Sequence, residues 1–218
     1  MRKISLGALA LLAFSSCLLA DDDKSNNGKS KNDNTFKMVV SGGAASCLPN
    51  ATATVKITPT GPVEIMNVTV RNLPPNTDFD LFILQVPKGP FGVAWYQGDI
   101  ETDEDGEGSQ QFIGRFNIET FAVSQSPSVA APVVHNPPQS LVSDASSNPA
   151  FEPIHTFHLG LWFNSPADAT KANCPGTETR FNGEHNAGIQ VLNTANFPDL
   201  AGPLKSTPAF VPTKKNKD

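Results

Sequence analysis

The sequence predicts a mainly β fold, a β-sandwich with long loops and one short helix, and three observations carry that expectation. Apolar residues recur with period two over several short runs, the spacing that puts alternate side chains on one face of a strand. Those runs are separated by clusters of Pro, Gly, Asn and Asp, which set turn geometry. The 218 residues include 19 Pro, 16 Gly and 14 Phe but only 3 Met, and 39% are hydrophobic against 17% charged. Such a chain can bury a core, and its balance favours short strands joined by turns over long helices.

The first element is an export signal, residues 1–20. Met1-Arg2-Lys3 is a basic start, and Ile4 to Phe14 is an apolar run of eleven residues. A bilayer core of ~30 Å needs about 20 helical residues, whereas this length suits a signal peptide. Ala13-Phe14-Ser15-Ser16-Cys17 resembles a bacterial lipobox, which makes Cys17 a lipidation site and the membrane a partner through that lipid; ordinary cleavage after Ala20 is the alternative. Residues 21–35 (DDDKSNNGKSKNDNT) lack any apolar side chain and read as a flexible polar tether. The formal charge is −5; without the first 20 residues, 14 basic groups face 21 acidic ones, a balance of −7. Phosphate backbones repel such a surface, which excludes nucleic acid as the expected partner.

The folded domain is expected over residues 36–205. Ala53, Val55 and Ile57 alternate with Thr54, Lys56 and Thr58, as in a half-buried strand. Val63 and Ile65 share one face while Met66, Val68 and Val70 fall on the other phase, predicting a bulge or a strand buried on both sides. Asn72 to Thr77 is a turn, and Phe79 to Val86 is apolar on both faces, as in a central strand. Trp95 to Thr102 and Gln110 to Val123 are expected to form strands joined by a hairpin turn at Asp103 to Gly106. Residues 124–150 are a Pro/Ser-rich loop. His155 to Phe163 alternates again, with His155, Phe157, Leu159, Leu161 and Phe163 on one face. Ser165-Pro166-Ala167-Asp168 carries a helix cap and first turn, which Asn173, Pro175 and Gly176 end within about two turns. Asn182-Gly183 marks a hairpin and Ile189 to Leu192 a strand; residues 206–218 are expected to fray as a disordered tail.

Leu73-Pro74-Pro75-Asn76-Thr77-Asp78-Phe79 resembles the L-x-P-x-T-x-Y corner of fibronectin type III domains, with Phe79 in place of the tyrosine and so without its hydroxyl bond. The resemblance implies an immunoglobulin-like or related sandwich. Trp95 to Asp99 and Phe181 to Gly188 are similar to segments of exported bacterial proteins, which implies an envelope location and no particular activity.

Apart from Cys17, the cysteines are Cys47 and Cys174. An even pair in an exported chain is most simply a disulfide. It closes a loop of about 127 residues, for which chain entropy suggests ~5 kcal/mol at most. Neither has a second Cys or a His within four positions, which argues against metal binding by this pair.

Several groups invite functional readings. Glu101 to Glu107 places oxygen ligands at alternate positions like a calcium loop, but Phe112 stands where a closing Glu belongs, so a solvated turn is expected. His155, His158 and His185 fall within 31 residues, but strand alternation separates the first two. His158, Glu184 and His185 remain as candidates for a metal site or an enzyme, with Asp99, Glu101 and Glu184 as possible paired carboxylates. No G-x-S-x-G elbow is present. Trp95, Tyr96 and Trp162 are candidates for a stacking platform, with Trp162 expected to be the most available because it opposes the apolar face. The expectation is a non-catalytic envelope or secreted module without a cofactor, structural, adhesive or binding a cell-surface protein or glycan.

Overall fold

The computed structural model describes residues 34–122, 154–180 and 186–210. The expected signal segment with Cys17, most of the expected tether, the expected loop 124–150, the expected Asn182-Gly183 turn, Glu184, His185 and the chain beyond Phe210 lie outside them.

Among the described residues, ten strands and one short helix follow in chain order. They are β1 (Asn34–Val40), β2 (Thr52–Pro59), β3 (Glu64–Arg71), β4 (Asp78–Leu84), β5 (Ala94–Glu101), β6 (Gly108–Gly114), β7 (Phe121–Ala122), β8 (Ile154–His155), β9 (His158–Phe163), α1 (Pro166–Lys171) and β10 (Gln190–Asn193). Eight form one antiparallel sheet in the order β5-β4-β9-β10-β1-β2-β3-β6, and β7 pairs with β8. The sheet changes layers at β1, whose residues 34–38 pair with β2 while Val39 and Val40 pair with β10. Layer β2-β3-β6 thus packs against layer β5-β4-β9-β10, and one core draws Val55, Ile57, Met66 and Val68 from the first and Phe79, Leu81, Leu161 and Val191 from the second. With β3 leading across to β4 and β6 beside β3, the strands form a mainly antiparallel β-sandwich.

The local reasons are plain in several elements. In β2, Ala53, Val55 and Ile57 are buried while Thr52, Thr54 and Lys56 are exposed. β4 lies between β5 and β9 and is buried from Phe79 through Leu84, so it is apolar on both faces. Ser165 caps α1 by accepting from the Asp168 amide at 3.1 Å, with Pro166 in the first turn.

Other expectations need correction. β3 runs without a bulge in both of its ladders; its buried phase is Glu64, Met66, Val68 and Val70, and Ile65 turns outward opposite Ile113. The segment after Glu101 does not fold back as a hairpin. β6 pairs with β3, so residues 102–107 arch from one layer to the other. The long strand expected to reach Val123 stops at Gly114. There the buried Glu64 carboxylate accepts from the Phe116 amide (2.7 Å) and the Asn117 side chain (2.8 Å), turning the chain. The expected strand from His155 is likewise split, since β8 and β9 flank Thr156 and Phe157.

The domain limits also move outward. Asn34 and Thr35, assigned to the tether, already pair with Ile57 and Lys56, and the Asn34 side chain donates to Pro203 O and Thr207 Oγ1. Ser206 ends a 3-10 turn, Pro203–Ser206, and the buried Thr207 accepts the Ile118 amide, so both belong to the fold rather than to the tail.

Candidate binding face

The outer surface of layer β5-β4-β9-β10 holds Tyr96, Asp99, Glu101 and Trp162, and its two halves differ. Over β9 it is closed. Trp162 is fully buried, which corrects the expectation that it is the most available aromatic. Gly160 leaves the space its indole occupies, since a Cβ there would lie 2.3 Å from the ring. Phe82 and Phe91 then meet the ring edge-on at 5.5 and 5.1 Å. Phe82, Leu84, Trp162 and Ala187 make a second small core, with Phe91 and Ala94 against it. The connection between β4 and β5 brings Phe91 across, held by Gln190 Nε2 donating to Pro87 O at 3.2 Å.

Over β5 the face is open. The register shifts between Leu81 and Phe82, with Gly98 at φ 142°, and this bulge puts Tyr96 on the same side as Asp99. Tyr96 is 44% exposed, its hydroxyl bonds Asp99 Oδ1 at 2.5 Å, and its ring meets Phe82 edge-on at 5.7 Å. Trp95 instead faces inward, half-buried against the main core, with Nε1 near Gln97 Oε1 at 3.4 Å.

Carboxylates crowd beside the tyrosine. Asp78 stands directly opposite Glu101, and the buried Asp80 opposite Asp99; like charges so placed repel. Partial burial raises the Asp78 pKa, helped by the Asp99 charge, against a bond from the Phe79 amide. Burial also raises the Tyr96 pKa, followed by its bond to Asp99, so the phenol stays protonated. Asn76, Thr77, Asp78, Glu101 and Thr102 line an adjoining hollow of about 310 Å³. A larger hollow, about 450 Å³, opens at the opposite end between His155, Phe157, Leu200 and Lys205.

The histidines do not converge in the described residues. His158 is buried with Nδ1 2.8 Å from Thr194 Oγ1 and Nε2 3.0 and 3.2 Å from the carbonyls of Asp199 and Pro198. Both ring nitrogens are therefore engaged in holding the segment after β10, and neither offers a lone pair to a metal. His155 is exposed and stacks on Phe157 at 4.7 Å. Among the described residues no three His, Cys, Asp or Glu side chains are placed to hold a metal ion, and no helix is long and apolar enough to cross a membrane. In the calcium-like segment, Asp103 Oδ1 accepts the amides of Asp105 and Glu107, and Glu107 pairs with Arg71 at 2.5 Å, so the turn is held by its own bonds.

Cys47 and Cys174 stand at disulfide distance with Cα atoms 5.5 Å apart. They join the connection after β1 to the segment after α1.

This geometry defines a mainly-β sandwich module with one open aromatic and carboxylate face. No family model matches the sequence, and no curated protein matches it.

Proposed function

We propose that the protein is a non-catalytic, extracytoplasmic binding module, held at the membrane by lipid on Cys17, that takes a cell-envelope glycan on the β4–β5 face. The observation that carries this reading is the Tyr96 ring, exposed beside the Asp99 carboxylate and the Asp78–Glu101 pair. A sugar presents an apolar ring face and a rim of hydroxyl donors. An exposed tyrosine supplies the stacking surface, and ionised carboxylates accept hydroxyl hydrogen bonds strongly. Of the buried titratable side chains among the described residues, Glu64 and His158 are engaged in holding loops, and Asp80 lies under the proposed face opposite Asp99, which favours binding over catalysis.

The test is retention on purified cell-wall glycan. Tyr96→Ala is expected to weaken retention about ten-fold or more, the loss of roughly one stacking contact and one hydrogen bond, without lowering the unfolding midpoint by more than a surface change does. Unchanged retention rejects the face. The tether is read separately: Cys17→Ala should abolish detergent-phase partitioning.

A further inference from the structure

The two free edges of the sandwich are built differently. β5 is blunted by its bulge and by the charges of Asp99 and Glu101, the usual protection of an edge strand. β6 has none of these devices. Its sequence, Gly108-Ser109-Gln110-Gln111-Phe112-Ile113-Gly114, lacks charge and proline, and it runs in unbroken register against β3. Ile113 is 67% exposed, and even Gln110, on the inward phase with Phe112, is exposed, so the seam beside β6 is open.

The direction of its free backbone groups follows from the ladder. The Thr60 amide donates to Val63 O at 3.0 Å, which places the hydrogen-bonded pairs of the β2–β3 hairpin on the odd residues of β3. Glu64, Met66, Val68 and Val70 therefore direct their backbone groups to Gly114, Phe112, Gln110 and Gly108. Ser109, Gln111 and Ile113 direct theirs away from the sheet. No strand lies on that side of β6 in the sheet, and the Gln111 carbonyl is met there by the neighbouring Gln110 side chain at 3.2 Å.

We propose that this edge pairs with the same edge of a second copy of the chain, antiparallel about a two-fold axis through Gln111, to give a dimer with a continuous sheet. In that register Gln111 faces Gln111, Ser109 faces Ile113 and Gly108 faces Gly114, so all three outward residues donate and accept. The strand is also self-complementary in charge. Glu107 and Arg115 flank it, and the same register sets Glu107 of one copy opposite Arg115 of the other at both ends. A shift of two residues leaves an outward group unpaired and separates those charges. Arg71 and Glu119, their partners within the chain, make each contact part of a larger exposed network. An unrelated strand has no reason to match both features, which selects the second copy as the occupant.

The register makes the test specific. In the full chain, Gln111→Cys should form a disulfide-linked dimer under mild oxidation, because residues in a hydrogen-bonded pair lie about 5.5 Å apart. Ile113→Cys alone should not, since its copy lies four residues away, about 13 Å. An equal mixture of Ile113→Cys and Ser109→Cys should cross-link again, with the 109–113 linkage found by mass mapping. Gln111→Pro removes only an outward amide, which an edge strand tolerates, and should weaken association about ten-fold or more in sedimentation. Failure of Gln111→Cys to cross-link while folded, cross-linking of Ile113→Cys alone, or a wild-type chain sedimenting as a monomer at high concentration overturns the proposal.

Discussion

His158 illustrates how much one side chain carries in this fold. Carbonyl oxygens only accept, so Nε2 bears the proton toward Asp199 and Pro198, and Nδ1 accepts from the Thr194 hydroxyl. Burial lowers the imidazole pKa below its ordinary 6.5, although the carbonyl bonds pull it back up. The sign of the pH effect follows. As pH falls through 6.5 the unfolded chain binds a proton that the folded ring refuses, so stability is full above that value and declines toward the folded pKa. His158→Phe should remove this decline. At neutral pH it should also cost about 3 kcal/mol, because a hydroxyl and two carbonyls lose a partner in a buried place. Urea unfolding of both proteins at a series of pH values from about 7 to 5 checks it. Parallel acid losses would mean that the ring is not the neutral group these contacts require.

Among the elements, two of the crossovers between layers, β3 to β4 and β5 to β6, behave as one unit. The Leu73 amide donates to Gly106 O, Asn76 to Asp103 O and Thr102 to Thr77 O, while the Thr102 hydroxyl donates to Pro74 O at 2.6 Å. Gly106 sits at φ 72°, where a Cβ would lie 2.0 Å from the Leu73 carbonyl oxygen. Gly106→Ala is expected to destabilise by about 3 kcal/mol, combining left-handed strain of about 1–2 kcal/mol with loss of a hydrogen bond between the arches. Gly61→Ala, at φ 114° in open space, should pay the backbone strain alone. Equal unfolding midpoints for the two variants would show that the arches do not constrain each other. Residues 103–106 mark the limit of what sequence could tell. Asp-Glu-Asp-Gly signals a turn, but the same local chemistry serves a hairpin or an arch. Pairing of β6 with β3 decides between them, and that is a tertiary choice. Alternation in β2, the two-sided apolar run of β4 and the Ser165 cap were readable because each depends on neighbours in sequence. Burial of Trp162 was not, because Phe91 reaches it from a separate connection, and β1 was missed although Phe36 and Met38 alternate inward.

For the whole molecule, the question is what ties the two layers together besides their shared core. Cys47 lies in the connection from β1 to β2, and the buried Cys174 follows α1, which packs beside β9 of the other layer. The pair is separated by 127 residues, so a bond between them confines most of the folded chain when it unfolds. Long closed loops stabilise most in the chain-entropy model, and loss of a native disulfide typically costs about 2–5 kcal/mol. A disulfide at this pair is compatible with an oxidising compartment, so the proposed export signal and the clamp are parts of one expectation. Cys47→Ser with Cys174→Ser should lower the unfolding free energy by that amount, and reductant should bring the wild type to the same midpoint while leaving the double variant unmoved. The comparison separates the bond from the packing of the two side chains, because reductant breaks the bond and leaves both sulfurs in place. A wild-type midpoint indifferent to reductant would mean that the layers are held by the core alone.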